Sequence, residues 1–434
     1  MHSAFFLPHT ETAHGSPVNV VGSTVVGLTG FLFFFLLLWG YLDAKREPIL
    51  WVVLFAYAVR TIVYALHRAI MPHLYTERLA AFEPTGWTWA SEGIGHVAAS
   101  FTFGADFYSW LISVVYLVVP RSSMFIAAIN IFLSSAVVYV VYKIAEHYAR
   151  HRTGKRAALI MALFPVTLLQ TIILSREIFI TFFLAAACLH LIKFSDPPRE
   201  SRRLVYALLC LGAASAPHSG VLISALFSLV LVAVYATARK LRSFYLWGPN
   251  TAFSKQGLLT VVSVSALSLA VAAGFRAVAD PLSNAKIYAL LSADNPLNSV
   301  VEVYQAGNRG RAGYPAWLSP SSFLLTMLVI PVRVLYFLFS PFVWMVSSLK
   351  HVAGLVNGIL MIPLCYYSFS FFRGRITQNS FALLFIALLI CAFVLAFSFG
   401  VKNFGQAFRH RAKILPLLVA VGMVAFETRR RRQT

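Results

Sequence analysis

Residues 157–191 read AALIMALFPVTLLQTIILSREIFITFFLAAACLHL. Two apolar runs, Ala157 to Leu174 and Ile178 to Leu191, enclose one polar step, Ser175-Arg176-Glu177. An arginine and a glutamate are costly at membrane depth unless they sit at an interface, pair with each other or face a wet cavity. The triplet predicts a tight turn between two membrane helices, at the rim of a polar cavity. The competing reading is that Arg176 and Glu177 merely end one helix and start the next.

Composition agrees with a chain built for lipid. Of 434 residues, 59% are hydrophobic and only 12% charged, against about a quarter charged in soluble domains. Several apolar runs reach about 20 residues, the length a helix needs to cross a bilayer. They are continuously apolar rather than alternating, so helices are the spanning elements. The expected fold is an all-α, polytopic membrane protein, with residues 1–434 forming one integral membrane domain. The net charge of +21 lies mostly in short loops, where basic residues orient the protein and meet anionic membrane lipid. No basic stripe with interleaved aromatics argues for nucleic acid. Cys188, Cys210, Cys365 and Cys391 all lie in apolar runs without CxxC spacing and read as small buried hydrophobes. No basic region precedes the first apolar run, Val20 to Tyr41, which is expected to remain as a helix.

The charge rule sets the orientation. The turn at Asp43–Pro48, the loop with Lys143, Arg150, Arg152, Lys155 and Arg156, the stretch Asp196–Arg203 and the tail 428–434 all read as cytoplasmic. Two long segments, about 71–121 and 276–321, read as outer loops, and Phe107 to Val119 within the first as a re-entrant or interfacial helix. Arg60, deep in the second apolar run, is expected to face protein or cavity. Proline and glycine in Ala216-Pro217-His218-Ser219-Gly220 predict a helix break that brings His218 to the side of Arg176. About eleven spans result, with the N-terminus outside and the C-terminus inside. The run Ser322 to Trp344, interrupted by Pro331, Arg333 and Pro341, has no clear placement.

Under this topology Arg176, Arg333, Arg409 and Arg411 fall at the outer ends of apolar runs, where the charge rule disfavours them. Broken local rules tend to mark function. Guanidinium binds phosphate through a bidentate fork and is always charged. An anionic group anchored in lipid, such as a polyprenyl phosphate or diphosphate, suits such a set. Arg409-His410-Arg411 is the leading cradle, with Arg176, His218 and Arg333 beside it. The alternative for 400–413 is an ordinary basic loop on the cytoplasmic side. A sugar acceptor needs a general base within hydrogen-bond reach. Asp106, Glu92 and Glu83 are the candidates, with Glu177 a distant fourth, and each alone could be a solvated loop carboxylate. No HExxH, P-loop or GxSxG motif competes. No cofactor is implied, no metal-ligand cluster appears, and a divalent metal stays open.

The stretch 103–121 holds Phe-Gly-Ala-Asp-Phe-Tyr-Ser-Trp and then Val-Tyr-Leu-Val-Val-Pro-Arg. An Asn130-containing run, the basic loop, Ala-Leu-Phe-Pro165 and Ser175-Arg176-Glu177 follow in order. Later come Tyr336-Phe-Leu-Phe-Ser-Pro-Phe-Val-Trp344 and Phe408-Arg-His-Arg-Ala-Lys-Ile-Leu-Pro416. This order resembles the multi-spanning polyprenyl-phosphate-dependent (C-type) glycosyltransferases and the related exopolysaccharide or O-antigen polymerases of bacteria. The resemblance implies an inner-membrane enzyme with an outward-opening cavity, a polyprenyl-linked sugar substrate, a glycan acceptor and an acidic residue in the first large outer loop. It leaves room for a chain-length regulator or export partner. The chain departs from the pattern in having single carboxylates there rather than an Asp-Glu or Asp-Asp pair, which favours a polymerase-like member. A flippase or transporter of a lipid-linked glycan is the alternative, since it would bind the same headgroup without chemistry.

Overall fold

The computed structural model describes residues 17–70, 82–196, 200–247, 312–318, 323–375 and 381–433. These residues form sixteen α-helices: α1 (Pro17–Ala44), α2 (Leu50–Ile70), α3 (Phe82–Ser91), α4 (Ile94–Ala99), α5 (Phe107–Tyr116), α6 (Ser123–Tyr148), α7 (His151–Leu163), α8 (Pro165–Ile172), α9 (Glu177–Ser195), α10 (Ser201–Ser215), α11 (Ser219–Trp247), α12 (Phe323–Phe339), α13 (Leu349–Arg375), α14 (Phe381–Gly400), α15 (Phe404–Arg411) and α16 (Leu415–Gln433). Among the described residues seven helices are long and apolar enough to span a bilayer, or eight if the bent pair α7–α8 counts as one. The expected eleven is therefore not reached there. The expected span over 257–275 lies outside the described residues, as does all of the second long loop except 312–318. In the first long segment a helix stands where one is expected over Phe107 to Val119, as α5, and two further short helices, α3 and α4, precede it.

Local chemistry sets the breaks. Ser122 starts α6, its side chain accepting from the Phe125 amide at 3.3 Å. Asn403 starts α15 in the same way, accepting from Gln406 at 2.8 Å. Pro165 has no amide hydrogen to continue a helix, so the expected single span over 157–174 is two helices bent by 47°. Such a bend frees carbonyls that nothing in lipid can satisfy. Arg60 satisfies them. It is fully buried and donates to the carbonyls of Met161 at 3.3 Å and Ala162 at 3.0 Å, to Ser134 Oγ at 2.8 Å and to Thr167 Oγ1 at 3.4 Å. The expectation that Arg60 faces protein holds, and its task is to brace a broken helix.

Helix α6 is the hub, packing on α1, α2, α7, α9 and α16. Lipid supplies no hydrophobic drive between helices, so close backbone approach at small residues matters. Gly27 and Gly30 of α1 lie directly against Met124 and Phe125 of α6, with no room for a larger side chain. Apolar side chains such as Leu28, Leu32, Phe33, Trp51 and Ile62 remain exposed on the bundle's outside, as a lipid-facing surface requires.

Cross-contacts sort the helix ends into two groups. Lys143 pairs with Glu47 at 2.9 Å, His147 approaches Asp196 at 3.6 Å, Arg156 pairs with Glu427, and Arg375 lies over Tyr148. This basic end gathers the α1–α2 turn, the loop after α6 and the C-terminal arginine run. At the opposite end Ser122 Oγ donates to the Ser23 carbonyl at 2.7 Å, and the turns at 173–177, 216–218 and 400–413 meet. The segment 400–413 thus lies at the end of Arg176, away from Arg150–Arg156 and Arg429–Arg432.

Candidate functional site

Three separate turns supply the residues that meet at this second end. Arg176 and Glu177 open α9, His218 lies between α10 and α11, and Arg409, His410 and Lys413 span the end of α15 and the step into α16. Glu177 in the first turn of α9 complements the helix dipole. It is buried, and its Oε2 lies 2.8 Å from Nζ of the fully buried Lys413. Its Oε1 lies 4.0 Å from Arg409 Nε. Arg176 reaches across to donate to the Pro217 carbonyl at 2.6 Å, which ties α9 to the α10–α11 turn. Gln170 Nε2 donates to the Arg409 carbonyl at 3.3 Å and fixes α15 against α8.

Two imidazoles complete the group. The rings of His218 and His410 are 5.2 Å apart, and both rest on Phe397, at 5.0 and 4.5 Å. The Gly220 amide donates to His218 Nδ1 at 3.2 Å. Lys413 Nζ lies 2.7 Å from His410 Nδ1. With Nδ1 accepting in each ring, the hydrogen-bond network assigns the ring proton to Nε2. Burial, reinforced by the neighbouring Lys413, holds both imidazoles well below the usual range, so both are neutral donors at neutral pH. Burial also lowers Lys413 to about 8, with Glu177 working in the opposite direction. Burial is likewise the main cause that lowers Arg176, with Glu177 opposing it.

The structure separates the sequence-predicted residues into groups. Arg176, His218, Arg409 and His410 come together. Asp106 sits at the edge of this group, exposed at the start of α5. Gly104, at a positive φ of 97° that glycine adopts without strain, donates its amide to the Ala216 carbonyl at 2.8 Å. That bond holds the Asp106 loop on the His218 turn, and Asp106 acts electrostatically on Arg176. Glu83 is buried in a bidentate pair with Arg121 at 3.0 and 3.2 Å and accepts from Tyr116 Oη at 2.9 Å. Glu92 pairs with His96 at 2.9 Å on the surface.

Arg333 and Arg411 have partners of another kind. Arg333 is buried and donates to the carbonyls of Ser398, Phe399 and Val401 at the end of α14, and to that of Leu318. Arg411 donates to the Leu338 carbonyl at 2.9 Å and reaches those of Phe337 and Gly354 at 3.4 Å. In the amide orientation that satisfies both groups, Asn357 Oδ1 accepts from Arg411 Nε and Nη2 at 2.8 and 2.9 Å. Both arginines, like Arg60, brace the C-terminal end of a helix. Lys413 is not among the residues the sequence singles out, and Glu177 stands last among its carboxylate candidates. The available signal was that a carboxylate in an apolar setting demands a buried cation. Among the described residues no group of three His, Cys, Asp or Glu side chains is placed to hold a metal ion.

Residues 106–265 match the model of the family described as dolichyl-phosphate-mannose-protein mannosyltransferase. The match opens on Asp106 and includes Arg176, Glu177 and His218, while Glu83, Glu92 and Arg409–Lys413 lie beyond it. No curated protein and no solved structure matches the chain. The match and the multi-pass helical architecture together support a membrane glycosyltransferase that uses a polyprenyl-phosphate-linked sugar.

Proposed function

We propose that the chain transfers or polymerises sugar from a polyprenyl-phosphate- or diphosphate-linked donor at the outer face of the bacterial inner membrane. One observation carries the reading. Arg176, Arg409 and Lys413 set three cationic groups around the single carboxylate Glu177, with His218 and His410 as neutral donors beside them. Such a group suits a phosphate held at headgroup level while its tail stays in lipid. As the sugar C1–oxygen bond to phosphate breaks and the bond to the acceptor oxygen forms, the bonding pair leaves with the phosphate. The cations stabilise that charge. Asp106 takes the proton of the acceptor hydroxyl. Arg333 and Arg411 hold α12, α14 and α15 in position. The outer orientation is supported by the arginine-rich opposite end, which the charge rule keeps cytoplasmic.

The test is reconstitution in vesicles with a radiolabelled polyprenyl-phosphate sugar and a glycan acceptor. The reading expects label to pass to the acceptor with wild type and not with Arg409→Ala. Label that crosses the bilayer with its sugar–phosphate bond intact would favour the flippase instead.

A further inference from the structure

The basic end holds a cavity of about 490 Å³ where the C-terminal ends of α6 and α16 meet the start of α7. It belongs to neither the cluster around Glu177 nor the proposed reaction. Arg150, Arg431 and Arg432 line it, together with the hydroxyl-bearing Thr153 and Thr428. The carboxylate in the wall, Glu427, is buried and already paired with Arg156. Among the described residues no carboxylate pairs with Arg150, Arg431 or Arg432. Three arginines, each exposed to solvent, therefore line one concave space at the end of a helical bundle whose sides are apolar. The ends of α6 and α16 contribute negative helix dipoles, and the guanidinium charges outweigh such partial charges.

We infer that this cavity binds the phosphate of an anionic phospholipid headgroup, whose acyl chains lie along the exposed apolar surface of the bundle. Guanidinium forks match phosphate oxygens, and basic pockets between helix ends at the membrane surface suit anionic headgroups. Free phosphate shares the headgroup's chemistry but lacks the acyl chains, so competition separates the two sources.

The experiment is native mass spectrometry of the purified full chain titrated with phosphatidylglycerol or phosphatidylcholine. Wild type should retain phosphatidylglycerol in preference to phosphatidylcholine. The triple variant Arg150→Gln/Arg431→Gln/Arg432→Gln should weaken retention by at least about tenfold. Glu427→Gln removes the negative wall charge, releases its partner Arg156, which is partly exposed to solvent, and leaves all three lining arginines; it should strengthen retention, and this arm keeps the test decisive if the triple variant folds poorly. Millimolar inorganic phosphate should fail to displace the lipid. Equal retention of both lipids, retention unchanged in the triple variant or in Glu427→Gln, or displacement by free phosphate would each overturn the assignment.

Discussion

Lys413 and Glu177 form a buried ion pair at 2.8 Å, joining the first turn of α9 to the short step between α15 and α16. Neither group is exposed, so each is the other's compensation for leaving water. Removing one partner strands a charge. Glu177→Gln is expected to destabilise the protein by about 3–5 kcal/mol, and Glu177→Gln/Lys413→Met to recover much of that loss. Thermal unfolding in one detergent checks both.

The same pair predicts a pH dependence. Burial brings the Lys413 ammonium down from 10.5 to about 8. Between those values the unfolded chain holds more protons at this group than the folded one. Its contribution to stability therefore rises with pH across that window, as the burial penalty on the ammonium is relieved. The positive charge at the site is lost over the same range. Affinity for polyprenyl phosphate should fall as pH passes about 8, and Lys413→Arg should abolish that fall. A titration of affinity against pH reads the result.

Arg409 and Arg411, two residues apart on α15, should fail in different ways. Arg409→Ala is expected to leave the fold intact and lower turnover by about 10²–10³-fold. Arg411→Ala leaves the Leu338 carbonyl and Asn357 without their donor. It should cost about 3 kcal/mol or more of stability. Parallel turnover and unfolding measurements separate the two.

Asp106→Asn should lower transfer by about 10²–10⁴-fold with no loss of donor affinity, as expected for a base that acts on the acceptor. Glu92→Gln touches only a surface pair and should stay near wild type. Glu83→Gln should act through stability, since Glu83 ties α3 to Arg121 and Tyr116.

Much of this arrangement is legible in the sequence. Ser175-Arg176-Glu177 does separate two helices, Pro217 does break 204–235, and Arg60 is buried as its depth demands. The division among the arginines is not legible. A sequence displays each guanidinium but not which helix ends will leave carbonyls unsatisfied, and Arg333 and Arg411 are committed to those. Residues 404–411 form a helix, in which residues two apart face different sides, so Arg409 and Arg411 do not present to one ligand. The bend at Pro165 is equally readable from its missing amide hydrogen. The pairing of Glu177 with Lys413 joins distant turns and becomes apparent only when the bundle brings α9 and α16 together.

The central claim is that the cluster of Arg176, Arg409 and Lys413 holds the donor phosphate. The most direct measurement is the affinity of the nanodisc-embedded protein for a short-chain polyprenyl phosphate, in wild type and in Arg176→Gln/Arg409→Gln, with unfolding temperatures matched. The account predicts binding by wild type that weakens by about 10²-fold or more in the double variant, given the strength of charge-assisted phosphate contacts. Equal affinity in the two proteins would contradict it and place the phosphate elsewhere.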